Sequence, residues 1–150
     1  MNEFEQYKER LQQFDGFKGH KEKVAAIIEQ KGFSSIMNDT KWLELQKAID
    51  TLPFPPPFIL KCVTYADDRP IGQLEDAPRW LGDWSSFWEE GLPPFFDIEW
   101  IKVRPRRGIY QGRLIADKVT DETDAFIEIL AQYSIPYENE NGTITIYGYK

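Results

Sequence analysis

The ten residues from Phe95 to Arg104, "FFDIEWIKVR", constrain the fold of this chain more than any other segment. Large apolar residues alternate there with carboxylates, and this period-two alternation is typical of a strand with one buried face. After Trp100 the apolar phase shifts by one position. A β-bulge near Trp100–Ile101, or burial of both faces there, would resolve the shift. We predict a strand that places Phe96 and Trp100 in the core and needs partner strands from the rest of the chain.

Three other segments have strand patterns that supply those partners. "FILKCVTY", residues 58–65, is a long apolar run typical of a buried strand, and "QGRLIADKV", residues 111–119, indicates a shorter one. At the end of the chain, a strand near Ile135–Asn139, a turn at Asn141-Gly142 and "TITIYGY" predict a hairpin. Together these segments predict an antiparallel sheet of four or five strands.

Helical periodicity occurs before and after the strand segments. Apolar residues recur at helical spacing in residues 4–14, 21–31, 39–52 and 121–133. We therefore predict an α+β fold: N-terminal helices, then an antiparallel sheet with one C-terminal helix packed on it and a terminal β-hairpin. Residues 1–150 form one predicted domain, with residues 1–36 as a helical extension and residues 37–150 as the α+β core.

The middle of the chain is less regular. "PFPPPF", residues 53–58, is stiff and extended, and we interpret it as a spacer that aims the next strand rather than as a proline-rich ligand. Residues 66–93 show no sustained periodicity. A structureless segment of that length is unusual within a domain, so we expect short helical turns near Leu74–Trp80 and Ser85–Glu89.

The charge distribution excludes several classes of protein. The formal net charge is −7, and the chain has no apolar run long enough to cross a membrane. An acidic field repels nucleic acid and anionic membranes and speeds encounter with basic proteins. The single cysteine, Cys62, cannot form an internal disulfide. We expect a cytoplasmic protein with no membrane partner.

Residues with catalytic potential are few. His20 is the only histidine, and we expect it to be a solvated residue near a helix start, with Cys62 as a small buried residue on a strand. One cysteine and one histidine do not make a zinc site, so we expect no metal, no cofactor and no catalytic residue. The alternative is a small hydrolase-type or cation-binding enzyme that uses Asp97 and Glu99, with Lys102 as a further candidate. Both acids are otherwise expected on the solvent face of their strand.

A basic run offers a second alternative. Residues 102–113 contain five bases and no acid: Lys102, Arg104, Arg106, Arg107 and Arg113. This run could contact phosphates in a nucleic acid. It lies in an acidic protein, however, so we interpret it as an internal complement to the flanking carboxylates and consider nucleic acid an unlikely partner.

A stretch rich in aromatic and acidic residues carries the favoured interpretation. Residues 82–100 contain three of the five tryptophans, three phenylalanines and five carboxylates. Buried aromatic anchors with a charged rim are typical of tight protein interfaces. The alternative is a satellite hydrophobic cluster beneath a long loop. The predicted partner-binding residues are Asp67, Asp68, Asp83, Trp84, Trp88, Glu89 and Glu90.

Several fragments together resemble a known family. "TKW", "LPFPPPFILK", "FFDIEWIKVRPR", "TDAFIEIL" and "IYGY" are similar to a family of small bacterial proteins classed as a domain of unknown function, over roughly residues 34–150. Members of that family resemble small acidic proteins encoded beside polymorphic toxins, many of which are immunity proteins. The resemblance transfers no catalytic residue. It implies a non-enzymatic protein that neutralises a toxin by binding it, with a basic toxin domain as the expected partner.

Overall fold

The computed structural model describes residues 2–14, 16–65, 74–88 and 90–150, and it confirms the α+β fold. The helices and strands occur in the predicted order except for one unpredicted strand at Arg106–Ile109, and a 3₁₀ turn at Phe95–Asp97 precedes β2. The elements are α1 (Glu3–Gln12), α2 (Phe17–Lys31), α3 (Asp39–Ile49), β1 (Phe58–Cys62), β2 (Ile98–Val103), β3 (Arg106–Ile109), β4 (Lys118–Asp121), α4 (Thr123–Gln132), β5 (Glu138–Glu140) and β6 (Thr143–Tyr147).

The main sheet has four antiparallel strands in the order β1-β2-β6-β5. The hairpin of β5 and β6 turns at Asn141 and Gly142, whose φ angles are 54° and 85°. Two positive φ angles at the centre of a two-residue loop match the twist of the flanking strands, and Asn-Gly is the sequence that best tolerates them. The terminal hairpin predicted from this dipeptide is therefore confirmed.

The phase shift within β2 has its origin in a bulge. β1 pairs Lys61 with Trp100 and then Cys62 with Ile98, so Glu99 is the extra residue. The bulge lies one position before the predicted Trp100–Ile101, and it allows Ile98 and Ile101 to be fully buried although their parity differs.

The expectation that Phe96 and Trp100 lie in the core was wrong, because both are only half-buried. Phe96 belongs to the 3₁₀ turn rather than to the strand. Trp100 lies beyond the bulge, where Ile101 and Val103 take the inward positions. Because of the bulge and the turn, the side chains that face the core at these positions are not those of Phe96 and Trp100.

One hydrophobic core joins the helices to the sheet. Leu45 on α3, Phe126 on α4, and Ile101 and Ile144 on the sheet are all fully buried in the same cluster. Tyr7 on α1 stacks on Phe95 with ring centroids 4.5 Å apart, and its hydroxyl accepts a 2.9 Å hydrogen bond from the Phe95 backbone N–H. The N-terminal helices are therefore packed against the core elements.

β3 and β4 form a separate two-stranded sheet. The strand predicted for residues 111–119 was wrong, because most of that segment is the loop between β3 and β4. Arg106 Nη1 and Asp121 Oδ2 lie 2.9 Å apart across the pair, and Asp121 Oδ1 accepts the Thr123 backbone N–H at the start of α4. A local ion pair and a helix cap thus fix the position of this hairpin.

The segment between β1 and the 3₁₀ turn contains no helix among its described residues. The helical turn expected near Leu74–Trp80 is thus not found there. Near the expected Ser85–Glu89, the Phe87 carbonyl oxygen accepts the backbone N–H groups of Glu90 and Gly91 at 2.9 and 2.6 Å, which makes a single hydrogen-bonded turn, and Glu89 itself lies outside the described residues. Hydrogen bonds hold the segment instead: the Gly82 N–H donates to the Pro55 carbonyl oxygen at 3.2 Å. No helix in the described ranges has the length and apolarity needed to cross a membrane.

Candidate functional site

The segment from Gly82 to Glu90 passes alongside α1 and α3, and close packing against the proline run holds its first part. Trp84 is 6% exposed, and its Nε1 donates a 2.9 Å hydrogen bond to the Pro56 carbonyl oxygen. Its ring meets Phe58 at a centroid distance of 4.8 Å. A Cβ at Gly82 would lie 2.2 Å from the same Pro56 oxygen, so only glycine allows this approach. Trp84 is therefore a core residue.

Gln46 on α3 holds the next part of the segment. Its Nε2 donates to the Trp84 carbonyl oxygen at 2.6 Å and to Ser86 Oγ at 3.0 Å. The Ser85 N–H donates to Asp83 Oδ1 at 3.0 Å. The hydrogen bonds from Ser85 lower the pKa of the Asp83 carboxyl, which is exposed and therefore stays ionised at neutral pH.

An open groove of about 700 Å³ separates the segment from the two helices. We call it the α1/α3 groove. Three carboxylates and two bases lie along it: Glu3, Asp50, Asp83, Arg10 and Lys47. Glu3 and Lys47 are 3.3 Å apart, and both are well exposed, so this pair contributes little to stability. The groove is therefore charged and accessible, with an acidic excess.

A second open groove, of about 530 Å³, continues from the first, since Arg10 and Ser86 line both. We call it the Trp88 groove. Trp88 is half-buried there and packs edge-to-face on Phe14 with centroids 4.9 Å apart. Phe87 is 71% exposed, and Glu90 is also exposed at this groove. Phe87 therefore lies in the Trp88 groove beside Glu90, and Arg10 lies where the two grooves meet.

The structure brings together part of the predicted partner-binding set. Asp83, Trp88 and Glu90 lie along the two connected grooves. Trp84 also lines the α1/α3 groove but is buried. The predicted residues Asp67, Asp68 and Glu89 lie outside the described residues. Whether the set binds a partner stays a prediction.

Phe87 belongs to the aromatic stretch but is not among the predicted partner-binding residues. It is the most exposed aromatic side chain of the segment, whereas the tryptophans beside it are buried or half-buried. In "SSFWEE" Phe87 stands next to Trp88 with no strand or helix period around them, so no local pattern separates the exposed ring from the half-buried one.

The two acids of the alternative enzymatic site are buried rather than on a solvent face, so that expectation was wrong. Asp97 is 3% exposed. His20 Nε2 lies 2.9 Å from Asp97 Oδ2, and Thr64 donates to the same carboxylate through its Oγ1 at 3.0 Å and its N–H at 3.2 Å. His20 is thus not the solvated residue that we expected, because α2 begins at Phe17 and its first turn faces the 3₁₀ turn.

Glu99 is 8% exposed and has a different partner. Lys61 Nζ lies 3.2 Å from both of its carboxylate oxygens. Each buried acid therefore has a basic side chain within hydrogen-bond distance, so neither carboxylate is buried without a polar partner. Among the described residues, no group of three or more His, Cys, Asp or Glu is placed to hold a metal ion.

The basic run is largely engaged inside the protein. Arg104 is 8% exposed, and it donates to the Asp76 backbone carbonyl and carboxylate, to the Asn141 carbonyl and to Thr143 Oγ1. Arg106 pairs with Asp121 and Asp76. Arg113 is exposed on the loop between β3 and β4. This geometry favours the interpretation of the run as an internal complement to acids.

Comparison with known proteins gives one match. A family model described as a family of unknown function, DUF6678, matches residues 24–150. The match begins within α2, ten residues before the start expected from the resemblance. No curated protein and no solved structure matches the chain.

Proposed function

We propose that this chain, which belongs to the family of unknown function DUF6678, is a non-enzymatic binding protein whose partner is a basic protein domain. The observation that carries the proposal is the exposure of Phe87, 71%, in the Trp88 groove, which is continuous with the α1/α3 groove. An exposed aromatic side chain in a concave, charged surface is the usual anchor of a protein interface.

The charge of the chain supports the choice of a basic partner. The net charge is −7, and four carboxylates line the two grooves, at Glu3, Asp50, Asp83 and Glu90. Complementary charge accelerates the encounter of two proteins and fixes their register. Nucleic-acid-cleaving domains are basic because they bind phosphates, so an acidic protein can cover their cleft.

A specific biological role follows from this partner. We propose that the chain is an immunity protein, which neutralises a toxin domain by occupying its active cleft. The mechanism needs no reaction on this chain: the partner's basic cleft receives Phe87 and the surrounding carboxylates, and its substrate is excluded. The resemblance to small acidic proteins encoded beside toxins led to this hypothesis.

One observation favours a second candidate, the hydrolase that uses Asp97. A carboxylate bonded to an imidazole is the arrangement that orients a catalytic histidine in acyl-transfer enzymes. Here His20 is 28% exposed in its side chain, so its ring reaches solvent. Against this candidate, the carboxylate also receives two hydrogen bonds from Thr64, and no nucleophile is bonded to the ring among the described residues. Ester hydrolysis that His20→Gln abolishes would support it.

The proposed function is tested with the product of the gene adjacent to the one that encodes this chain. Purified separately, the two proteins are expected to form a stoichiometric complex in isothermal titration calorimetry, with an association rate that falls as salt rises. Co-expression is expected to restore growth of cells that express the neighbour alone. A neighbour that is not toxic and does not bind this chain would contradict the immunity hypothesis.

A further inference from the structure

β4 is an exposed strand at the edge of the small sheet. Lys118, Val119 and Asp121 are exposed and Thr120 is half-buried. Within the described residues, β4 pairs only with β3, so its other edge has no strand beside it. An open edge presents unpaired N–H and C=O groups, which are a template for another strand.

The hydrogen bond at the base of the hairpin identifies the groups on that open edge. The Glu122 N–H donates to the Pro105 carbonyl oxygen at 2.8 Å, which continues the ladder in which Arg107 faces Thr120. In an antiparallel pair, alternate residues direct their backbone groups toward the partner strand. Glu122 and Thr120 therefore face β3. Val119 and Asp121 direct their N–H and C=O groups away from it.

We propose that a second copy of this chain pairs with that edge, so that β4 and β4 of the second copy join antiparallel in a two-fold symmetric dimer. Side chains directly opposite each other in an antiparallel pair lie on the same face of the sheet. A two-fold axis normal to the sheet places each residue and its own copy on the same face, whereas neighbouring residues lie on opposite faces. Only registers that place a residue opposite itself therefore satisfy the symmetry. Val119 and Thr120 are the two central choices.

Charge selects between these two registers. Val119 opposite its own copy places Asp117 opposite Asp121, which sets like charges against each other. Thr120 opposite its own copy places Lys118 opposite Glu122 twice, and it also makes a Thr–Thr pair. In this second register the backbone N–H and C=O groups of Val119 lie opposite those of Asp121 in the other copy. The groups that point away from β3 in both copies are then hydrogen-bonded.

The β5 edge of the main sheet lacks this self-complementarity. β5 is exposed along its length, but it carries Glu138 and Glu140 at its ends. Antiparallel pairing about its central residue, Asn139, would place glutamates opposite each other. The charges of β4 thus match a second copy of the strand, whereas those of β5 do not.

The loop that connects β3 to β4 adds apolar surface to the same hairpin. Leu114 is 95% exposed, and Tyr110 and Ile115 are 60% and 59% exposed. A few backbone hydrogen bonds alone do not hold two proteins together, because association costs translational and rotational freedom. Burial of these side chains supplies the additional free energy, and we expect a dimer of micromolar affinity.

A charge-swap series tests the dimer. Sedimentation equilibrium of the full chain between about 5 and 500 µM is expected to give a mass that rises from monomer to dimer. Lys118→Glu alone and Glu122→Lys alone are each expected to raise the dissociation constant about tenfold, because each sets like charges opposite each other twice. The double variant is expected to restore it. Lys23→Glu makes the same change of charge at an exposed position on α2 and serves as the control.

A backbone variant separates the edge from the side chains. The Val119 N–H does not face β3, so Val119→Pro removes an outward donor without removing a bond of the β3–β4 ladder. It is expected to abolish dimerisation, while circular dichroism confirms that the variant is folded. The proposal is overturned if the wild-type chain is monomeric at 500 µM, or if the swapped pair fails to restore a dimer lost in the single variants.

Discussion

Nε2 of His20 lies 2.9 Å from Oδ2 of Asp97, and this contact joins the first turn of α2 to the 3₁₀ turn that precedes β2. The DUF6678 match begins at residue 24, after His20, whereas Asp97 lies within it. Two residues that precede the family match therefore make polar contacts with residues inside it. His20 contacts the Asp97 carboxylate, and the Tyr7 hydroxyl accepts the Phe95 backbone N–H.

A chain that begins at Met37 is expected to be much less stable than the full chain. The truncation leaves Asp97 without its imidazole and uncovers Phe95, and a buried carboxylate that loses its partner costs several kcal/mol. We expect a loss of about 3–5 kcal/mol in urea denaturation. His20→Gln in the full chain is the matched control, and its loss should be smaller, about 1–2 kcal/mol, because the packing of α1 and α2 remains. An unchanged midpoint for the truncated chain would show that the helices do not stabilise the fold.

Trp84→Ala and Trp88→Ala are expected to differ in stability. Trp84 is buried and bonded to the Pro56 carbonyl, so its removal leaves a cavity and an unpaired acceptor, and we expect a loss of about 3–5 kcal/mol. Trp88 is half-buried, and its removal should cost about 2 kcal/mol. Thermal unfolding of both variants measures this without knowledge of any partner. Equal losses would mean that Trp88 is as deeply packed as Trp84.

Phe87→Ala is expected to reduce affinity for the protein partner while stability changes by less than about 0.5 kcal/mol. The ring is largely exposed, so its free energy is gained on binding rather than on folding. We expect a loss of at least about 2 kcal/mol in calorimetric titration with the partner, as for other anchor residues. Tyr137→Ala removes another exposed aromatic side chain, which lines neither groove, and is the control. Equal affinities of wild type and Phe87→Ala for the partner would show that Phe87 does not anchor the interface and would contradict binding at the two grooves.

Stability is expected to fall as the pH rises above about 10. Burial raises the pKa of Tyr149 to about 12 and raises that of Tyr7 further. The unfolded chain loses these protons first, at its ordinary pKa near 10, so each group removes up to about 1.4 kcal/mol of unfolding free energy per pH unit until its folded pKa is reached. Urea denaturation at pH 9, 10 and 11 measures the slope. Tyr7→Phe removes one of the two titrating groups, so the loss of unfolding free energy per pH unit is expected to be smaller in this variant. A loss equal to that of the wild type would contradict the burial of the Tyr7 hydroxyl.

Local chemistry explains why several elements could be predicted from the sequence. Asn141-Gly142 tolerates the two positive φ angles of a tight hairpin wherever it occurs, so the terminal hairpin followed from the dipeptide. The Asn38 side chain accepts the Lys41 N–H, a helix cap made between residues three positions apart in the sequence. The α+β class followed from these local signals, since each depends on residues only a few positions apart.

Contacts between distant residues decided the rest. Asp97 and Glu99 alternate with apolar residues as solvent-facing acids do, yet a bulge at Glu99 and the bases His20 and Lys61 made their burial possible. Those bases lie 77 and 38 positions away in the chain, beyond the reach of any periodicity. For the same reason, nothing in "GDWSSFWEE" could show that Pro56 would bury Trp84 and leave Phe87 exposed. The sequence by itself determined where the helices and the terminal hairpin form, because their hydrogen bonds and backbone angles are local. Only the tertiary structure decided which charges and rings are exposed, because burial depends on which distant surface covers each side chain.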